Sequence, residues 1–182
     1  MKGKISLPWL ITILLSIIAI IVSVTIPEVR YFLGIDKPIT PPSAKIENIW
    51  GNHHVFKNNQ TGINIHVKFS VSGMSNKRGF VMAGFYFLNG NVLKDFNDNE
   101  KYRTTSGNVS VQECFISKYE TELYEDFILF MPYDEFHLIE GNLYSLKFQV
   151  VLFDHNWDMM AISDWVHFTV DKRDSSPNSV KN

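Results

Sequence analysis

Residues Ile5 to Ile26 form an unbroken run of 22 residues without a charged side chain. At about 1.5 Å of rise per helical residue, the run reaches about 33 Å, enough to cross a hydrocarbon core of about 30 Å. Lys2 and Lys4 precede it, Trp9 lies near its start, and Tyr31 and Phe32 follow it, the order of charge and interfacial aromatics that a spanning helix needs. A cleavable signal sequence also begins with charge, but its apolar core is only about 7 to 15 residues long and ends at a small-residue site. Ser23-Val24-Thr25 does not supply such a site. The sequence therefore predicts a single-pass, uncleaved transmembrane anchor over residues 1–27, in the cell membrane.

Lys2, Lys4 and the amino terminus compete with Arg30, Lys37 and Lys45 across this run, so the charge bias is nearly flat. A cytoplasmic amino terminus spares the chain from translocating two lysines, and long carboxy-terminal domains cross largely regardless of charge. The part after the anchor is thus expected to be extracytoplasmic. Residues 28–43 hold Lys37-Pro38-Ile39-Thr40-Pro41-Pro42-Ser43, with three of the seven prolines in the chain. Pro fixes φ and removes a backbone donor, which makes this a short, semi-rigid linker.

Beyond residue 43 the dominant period is two. Ile63, Ile65, Val67, Phe69 and Val71 alternate with Asn64, His66, Lys68 and Ser70, as in a strand with one face on a core. Phe80 to Leu88 is apolar at nearly every position and reads as a strand covered on both faces. Asn89-Gly90 then signals a hairpin with a short return strand over Asn91 to Asp95. Further strands are predicted around Ile46 to Trp50, Asn108 to Phe115, Tyr124 to Met131 (stopped by Pro132), Tyr144 to Leu152, and through Val166, Phe168 and Val170. No sustained helical period occurs after the anchor.

About eight short strands with turn signals between them predict an all-β fold, an antiparallel β-sandwich of immunoglobulin-like or C2-like type over residues 44–172. The stretch Leu138 to Tyr144 has the spacing of a tyrosine corner, although plain turn chemistry explains Gly141 as well. Residues 173–182 are polar and expected to be a disordered tail.

From Ala44 onward, 13 Lys and Arg stand against 17 Asp and Glu. A net negative domain without clustered cations is a poor match for nucleic acid. Cys114 is the single cysteine and has no internal disulfide partner; with no helix terminus nearby to lower its pKa, it reads as an ordinary strand residue. No serine has the glycine pattern of a nucleophile elbow. Nothing in the sequence predicts an enzyme, and no cofactor is expected.

Three groups of residues bear on binding. Asp95-Phe96-Asn97-Asp98-Asn99-Glu100 opens like a calcium loop, but Glu100 replaces the required glycine and Ser106 the closing Glu. In the C2-like alternative, Asp95 and Asp98 come beside Asp154 and Asp158 and calcium is the ligand; a solvated Asx-rich turn explains the same residues. The six histidines His53, His54, His66, His137, His155 and His167 show no zinc-ligand spacing. Seven carboxylates with no Lys or Arg lie between Glu120 and Glu140, and Glu120 and Glu122 are candidates to steer a basic partner. Trp157, inside the polar turn His155 to Asp158, is the candidate contact residue.

Asn52-His53, Tyr102-Arg103-Thr104 with Gly107 and Val109, Phe130-Met131-Pro132-Tyr133-Asp134-Glu135 with His137-Leu138, and Asp164 with His167-Phe168 together stand out. In these residues the chain resembles an uncharacterised family of bacterial membrane-anchored β-sandwich domains. The resemblance covers about Ile46 to Val170 and implies the fold and an accessory role beside a membrane anchor. It implies no catalytic residue. The expected function is a non-enzymatic binding module for a protein or glycan partner, with a calcium-dependent adhesive module or a structural subunit of an envelope assembly as alternatives.

Overall fold

The computed structural model describes residues 15, 16, 18, 21 and 40–173. Leu15, Ser16, Ile18 and Ile21 are helical; the rest of the expected anchor Ile5 to Ile26, residues 28–39 of the expected linker and the tail from residue 174 lie outside the described residues. Among the described residues, no helix is long and apolar enough to cross a membrane. The chain divides into two compact units, Met1–Thr40 and Pro41–Asn182.

The described part of the second unit is an all-β sandwich of eight strands: β1 (Ser43–Lys57), β2 (Gln60–Ser72), β3 (Arg78–Phe87), β4 (Ser110–Ile116), β5 (Thr121–Pro132), β6 (Leu143–Phe153), β7 (Met159–Ile162) and β8 (Val166–Asp171). One sheet has the order β1-β2-β5 and the other β4-β3-β6-β7, with β8 also on β6. Every strand pair is antiparallel.

The alternating segments become the inner faces. Ile63, Ile65, Val67, Phe69 and Val71 of β2 are each at most 1% exposed. Across from them lie Val81, Ala83 and Phe85 of β3 and Leu146, Phe148, Val150 and Leu152 of β6, also in the buried core. Each such Val, Leu or Phe contributes about 1.5–3 kcal/mol when fully buried. Aromatic rings sort into two groups: Phe69, Phe115, Tyr124 and Phe127 form one, and Phe85, Phe136, Phe148 and Phe168 the other.

Bulges adjust this simple period. The β2–β5 register shifts between Val67 and Phe69, so one extra β5 residue faces Lys68. Tyr124 and Phe127, an odd number of positions apart, therefore both reach Phe69, at ring distances of 4.6 and 5.7 Å. A second shift in β1 between Asn52 and Val55 accommodates His54 at φ 57.

The first strand is much longer than Ile46 to Trp50. Lys57 pairs with Gln60, and Asn58 and Asn59 between them have φ of 53 and 61. Two consecutive left-handed residues are the geometry of a tight hairpin turn, and asparagine tolerates it better than most side chains. The return strand expected over Asn91 to Asp95 is corrected to isolated bridges, Tyr86 to Val92 and Lys94 to Asn108. Leu93 is 1% exposed and pins the segment, which then leaves β3 to form a long loop containing the 3₁₀ turn Glu100–Tyr102.

The eighth strand is instead β7, which sequence alternation alone did not reveal. β7 and β8 follow one another along the same β6 strand, Met159 opposite Phe153 and Asp171 opposite Leu143. Ser163 bridges the break: its N–H donates to the Val150 carbonyl at 2.9 Å, and its hydroxyl accepts the Val150 N–H at 2.9 Å. The Tyr144 hydroxyl donates to the Ile139 carbonyl at 3.2 Å, the bond expected of a tyrosine corner.

Candidate functional site

β3 is covered on both faces, as its composition predicts, but by different means. Val81, Ala83 and Phe85 enter the core, whereas Phe80, Met82 and Tyr86 lie on the opposite face and are half-buried. Trp157 stacks on Phe80 with ring centroids 4.1 Å apart and planes 10° apart. Trp165 meets Tyr86 edge-on at 5.1 Å, under the ammonium of Lys147.

The indole of Trp157 is held by its turn. Asp154 Oδ1 accepts the N–H groups of Asn156 and Asp158 at 2.8 and 2.9 Å, and the Trp157 N–H donates to the Asp154 carbonyl. Trp157 has φ 67, an uncommon conformation for a bulky residue and one that costs of order 1–3 kcal/mol. The side chain remains half-exposed. Trp157, Phe153 and Met82 form the floor of a groove of about 650 Å³, and Glu100, Arg103, Thr104 and Gln112 give it a polar wall.

The loop that supplies this wall has a second side. Asp95 Oδ1 lies 3.0 Å from His137 Nε2, and the Asp95 side chain is 1% exposed. Arg103 pairs with the exposed Asp98 and has its Nη1 3.8 Å from Asp95 Oδ2. Glu135, 6% exposed, accepts from Asn97 Nδ2 at 3.2 Å and Asn99 Nδ2 at 2.8 Å. Each of these asparagines also uses its carbonyl to cap the loop, Asn97 on the Asn99 N–H and Asn99 on the Lys101 N–H. Glu135 lies in the 3₁₀ turn Tyr133–Phe136, and His137 ends that turn at φ 52.

Asp95, Glu135 and His137 thus offer donor atoms within 4.8 Å of one another, and among the described residues they are the one group of three metal-capable side chains this close. Of the carboxylates singled out from sequence, Asp95 belongs to this group, Asp98 is held by Arg103, Asp154 organises its own turn, and Asp158 is exposed. In the sequence Glu135 and His137 stand out as members of an acidic run, of a scattered histidine set and of the residues that carry the resemblance, but not as ligands of one site. Their common neighbour Asp95 is 42 residues from His137, a separation that local spacing does not reveal.

The other histidines have different surroundings. His66, 7% exposed, sits 2.6 Å from Asp126 Oδ1 and 3.1 Å from Asn52 Nδ2, under the stacked ring of Trp50. His53 and His54 do not point apart as a regular strand requires, because the bulge brings both to Tyr133. Its hydroxyl lies 2.9 Å from His53 Nδ1 and accepts the His54 N–H at 3.1 Å. Burial, then the adjacent His54, holds His53 below its ordinary pKa. His155 lies 3.6 Å from Asp154.

The acidic run is answered by cations distant in sequence. Lys68 reaches Glu125 at 2.6 Å, and Lys172 reaches Asp134 at 3.3 Å and Glu140 at 3.7 Å. Glu122 accepts the Lys118 N–H at 2.6 Å, and the Glu120 carbonyl accepts the Gly73 N–H. Cys114 is exposed and pairs in register with Phe80. No protein-family model matches the chain, and no curated protein matches it in sequence.

Proposed function

We propose that this chain is a membrane-held, non-enzymatic binding module of immunoglobulin-like topology, and that the Trp157 groove takes a short oligosaccharide. The carrying observation is Trp157 itself, half-exposed at φ 67 and stacked flat on Phe80. A bulky residue kept in a costly conformation at a surface turn, where glycine or asparagine would be cheaper, favours a role in contact. A flat indole suits the C–H face of a sugar ring, and the Glu100, Arg103, Thr104 and Gln112 side chains bring donors and acceptors for hydroxyl groups. The volume of about 650 Å³ falls in the small-ligand range.

Immunoglobulin-like topology is supported by the strand order. β1-β2-β5 corresponds to an A-B-E sheet and β4-β3-β6 to C′-C-F, with β7 and β8 end to end along β6 in the place of G and Tyr144 at the start of the F-equivalent strand. Membrane attachment rests on the uncharged run Ile5 to Ile26, and the extracytoplasmic placement of the domain on Lys2 and Lys4 before that run and the long domain after it.

The test is a glycan array probed with the full chain in mild detergent, beside a peptide library. Saturable binding to a set of related glycans, lost in Trp157→Ala and weakened in Arg103→Ala, is the expected result. Binding to peptides alone would move the groove to a protein partner, and equal glycan binding by Trp157→Ala would remove it from the site.

A further inference from the structure

We infer that Asp95, Glu135 and His137 form a binding site for one divalent transition-metal ion, with zinc as the best-matched occupant. The site is separate from the Trp157 surface and its test does not depend on the groove being a ligand site. Three donor groups from two segments converge within 4.8 Å. Convergence alone is weak, because acidic clusters are common without ions.

The second observation is Asp95. Its side chain is 1% exposed, its Oδ1 faces His137, and its Oδ2 has no hydrogen-bond partner. Arg103 at 3.8 Å attracts that oxygen but is beyond hydrogen-bond range. An enclosed carboxylate oxygen without a hydrogen-bond donor carries a desolvation penalty that a charge at this distance offsets only in part, and a coordinated cation removes the rest.

Charge and geometry agree. Asp95, Asp98 and Glu135 bring three carboxylates to the one guanidinium of Arg103, an acidic excess that a divalent ion offsets. The 3.0 Å between Asp95 Oδ1 and His137 Nε2 is a hydrogen bond here, a few tenths of an ångström short of the roughly 3.3–3.6 Å edge of a tetrahedral ion with bonds of about 2.0–2.2 Å, so the ion replaces that bond after a small side-chain shift. Asn97 and Asn99 occupy one lone pair on each Glu135 oxygen, which fixes the carboxylate while leaving capacity to coordinate.

The donor set decides the class of ion. One imidazole and two carboxylates suit zinc, whereas calcium asks for six to eight oxygens and copper(I) for sulfur. The remaining coordination positions belong to water. The ion would join the β3–β4 loop to the turn after β5, fastening the segment that carries Arg103.

The experiment uses the full chain in mild detergent, stripped with chelator and titrated with zinc chloride by calorimetry, with thermal unfolding in parallel. One equivalent of zinc taken up saturably, with a raised Tm, and no comparable response to calcium chloride is expected. His137→Gln and Asp95→Asn should each weaken uptake at least about 100-fold, and Asp158→Asn should not. Where Asp95→Asn fails to fold, the half-buried His137→Gln decides. Absence of saturable uptake at about 1 mM zinc, uptake unchanged in His137→Gln, or calcium bound more tightly than zinc would each overturn the site.

Discussion

Asp154 is 4% exposed, and its Oδ1 accepts two backbone N–H groups, from Asn156 and Asp158. Replacing it with alanine orphans both donors and loosens the turn that presents Trp157. Asp154→Ala should therefore lose about 1–3 kcal/mol, read as a lower urea midpoint at unchanged slope, while the exposed Asp158→Ala stays within about 0.5 kcal/mol of the parent. A titration prediction belongs to Tyr124. Burial, reinforced by the Glu122 charge, pushes its phenol up to about 12. The unfolded phenol ionises first, near pH 10, so the native state holds the extra proton and stability falls as pH rises from about 10 through about 12. Below that window the group contributes no pH dependence. Urea midpoints at the two ends of the window should fall less steeply for Tyr124→Phe than for the parent, and equal slopes would exclude Tyr124 as the source.

At the scale of elements, legibility followed period. β2 and β6 were plain in the sequence because their inner residues alternate strictly and one face is buried. β7 was not, since its four residues Met159–Ile162 are apolar on both sides and pair with only the end of β6. The Asn58-Asn59 turn was readable in principle from two adjacent residues that tolerate positive φ. Asp95 was singled out from its oxygen-rich loop, but Glu135 and His137 came to it only through the placement of the turn after β5, a tertiary fact. Strand packing also sets a sharp glycine requirement. A Cβ on Gly62 would stand 2.2 Å from the Met131 carbonyl oxygen, whereas one on Gly84 meets nothing closer than 3.5 Å. Because the first obstacle is backbone, Gly62→Ala should destabilise by about 1–3 kcal/mol or more. Gly84→Ala should be neutral or slightly stabilising through the unfolded chain, and thermal unfolding of the pair distinguishes them.

For the whole molecule, the sandwich and the uncharged run make separable demands. The strands of residues 41–173 bury a continuous core of their own, so that fragment should express in soluble form and unfold in one cooperative transition. Residues Ile5 to Ile26 hold no charge, so the full chain should resist alkaline carbonate extraction and leave membranes only with detergent. Release by carbonate would reject a spanning anchor while leaving the sandwich intact. Orientation is tested apart from insertion, with a carboxy-terminal reporter active only outside the cytoplasm. The fusion should be active because translocating the amino terminus would drag Lys2 and Lys4 across. Reversing the bias, by replacing Lys2 and Lys4 with glutamine and adding lysines beside Arg30, should reduce that activity. An active fusion indifferent to both changes would mean that the length of the following domain, and not the flanking charge, sets the topology.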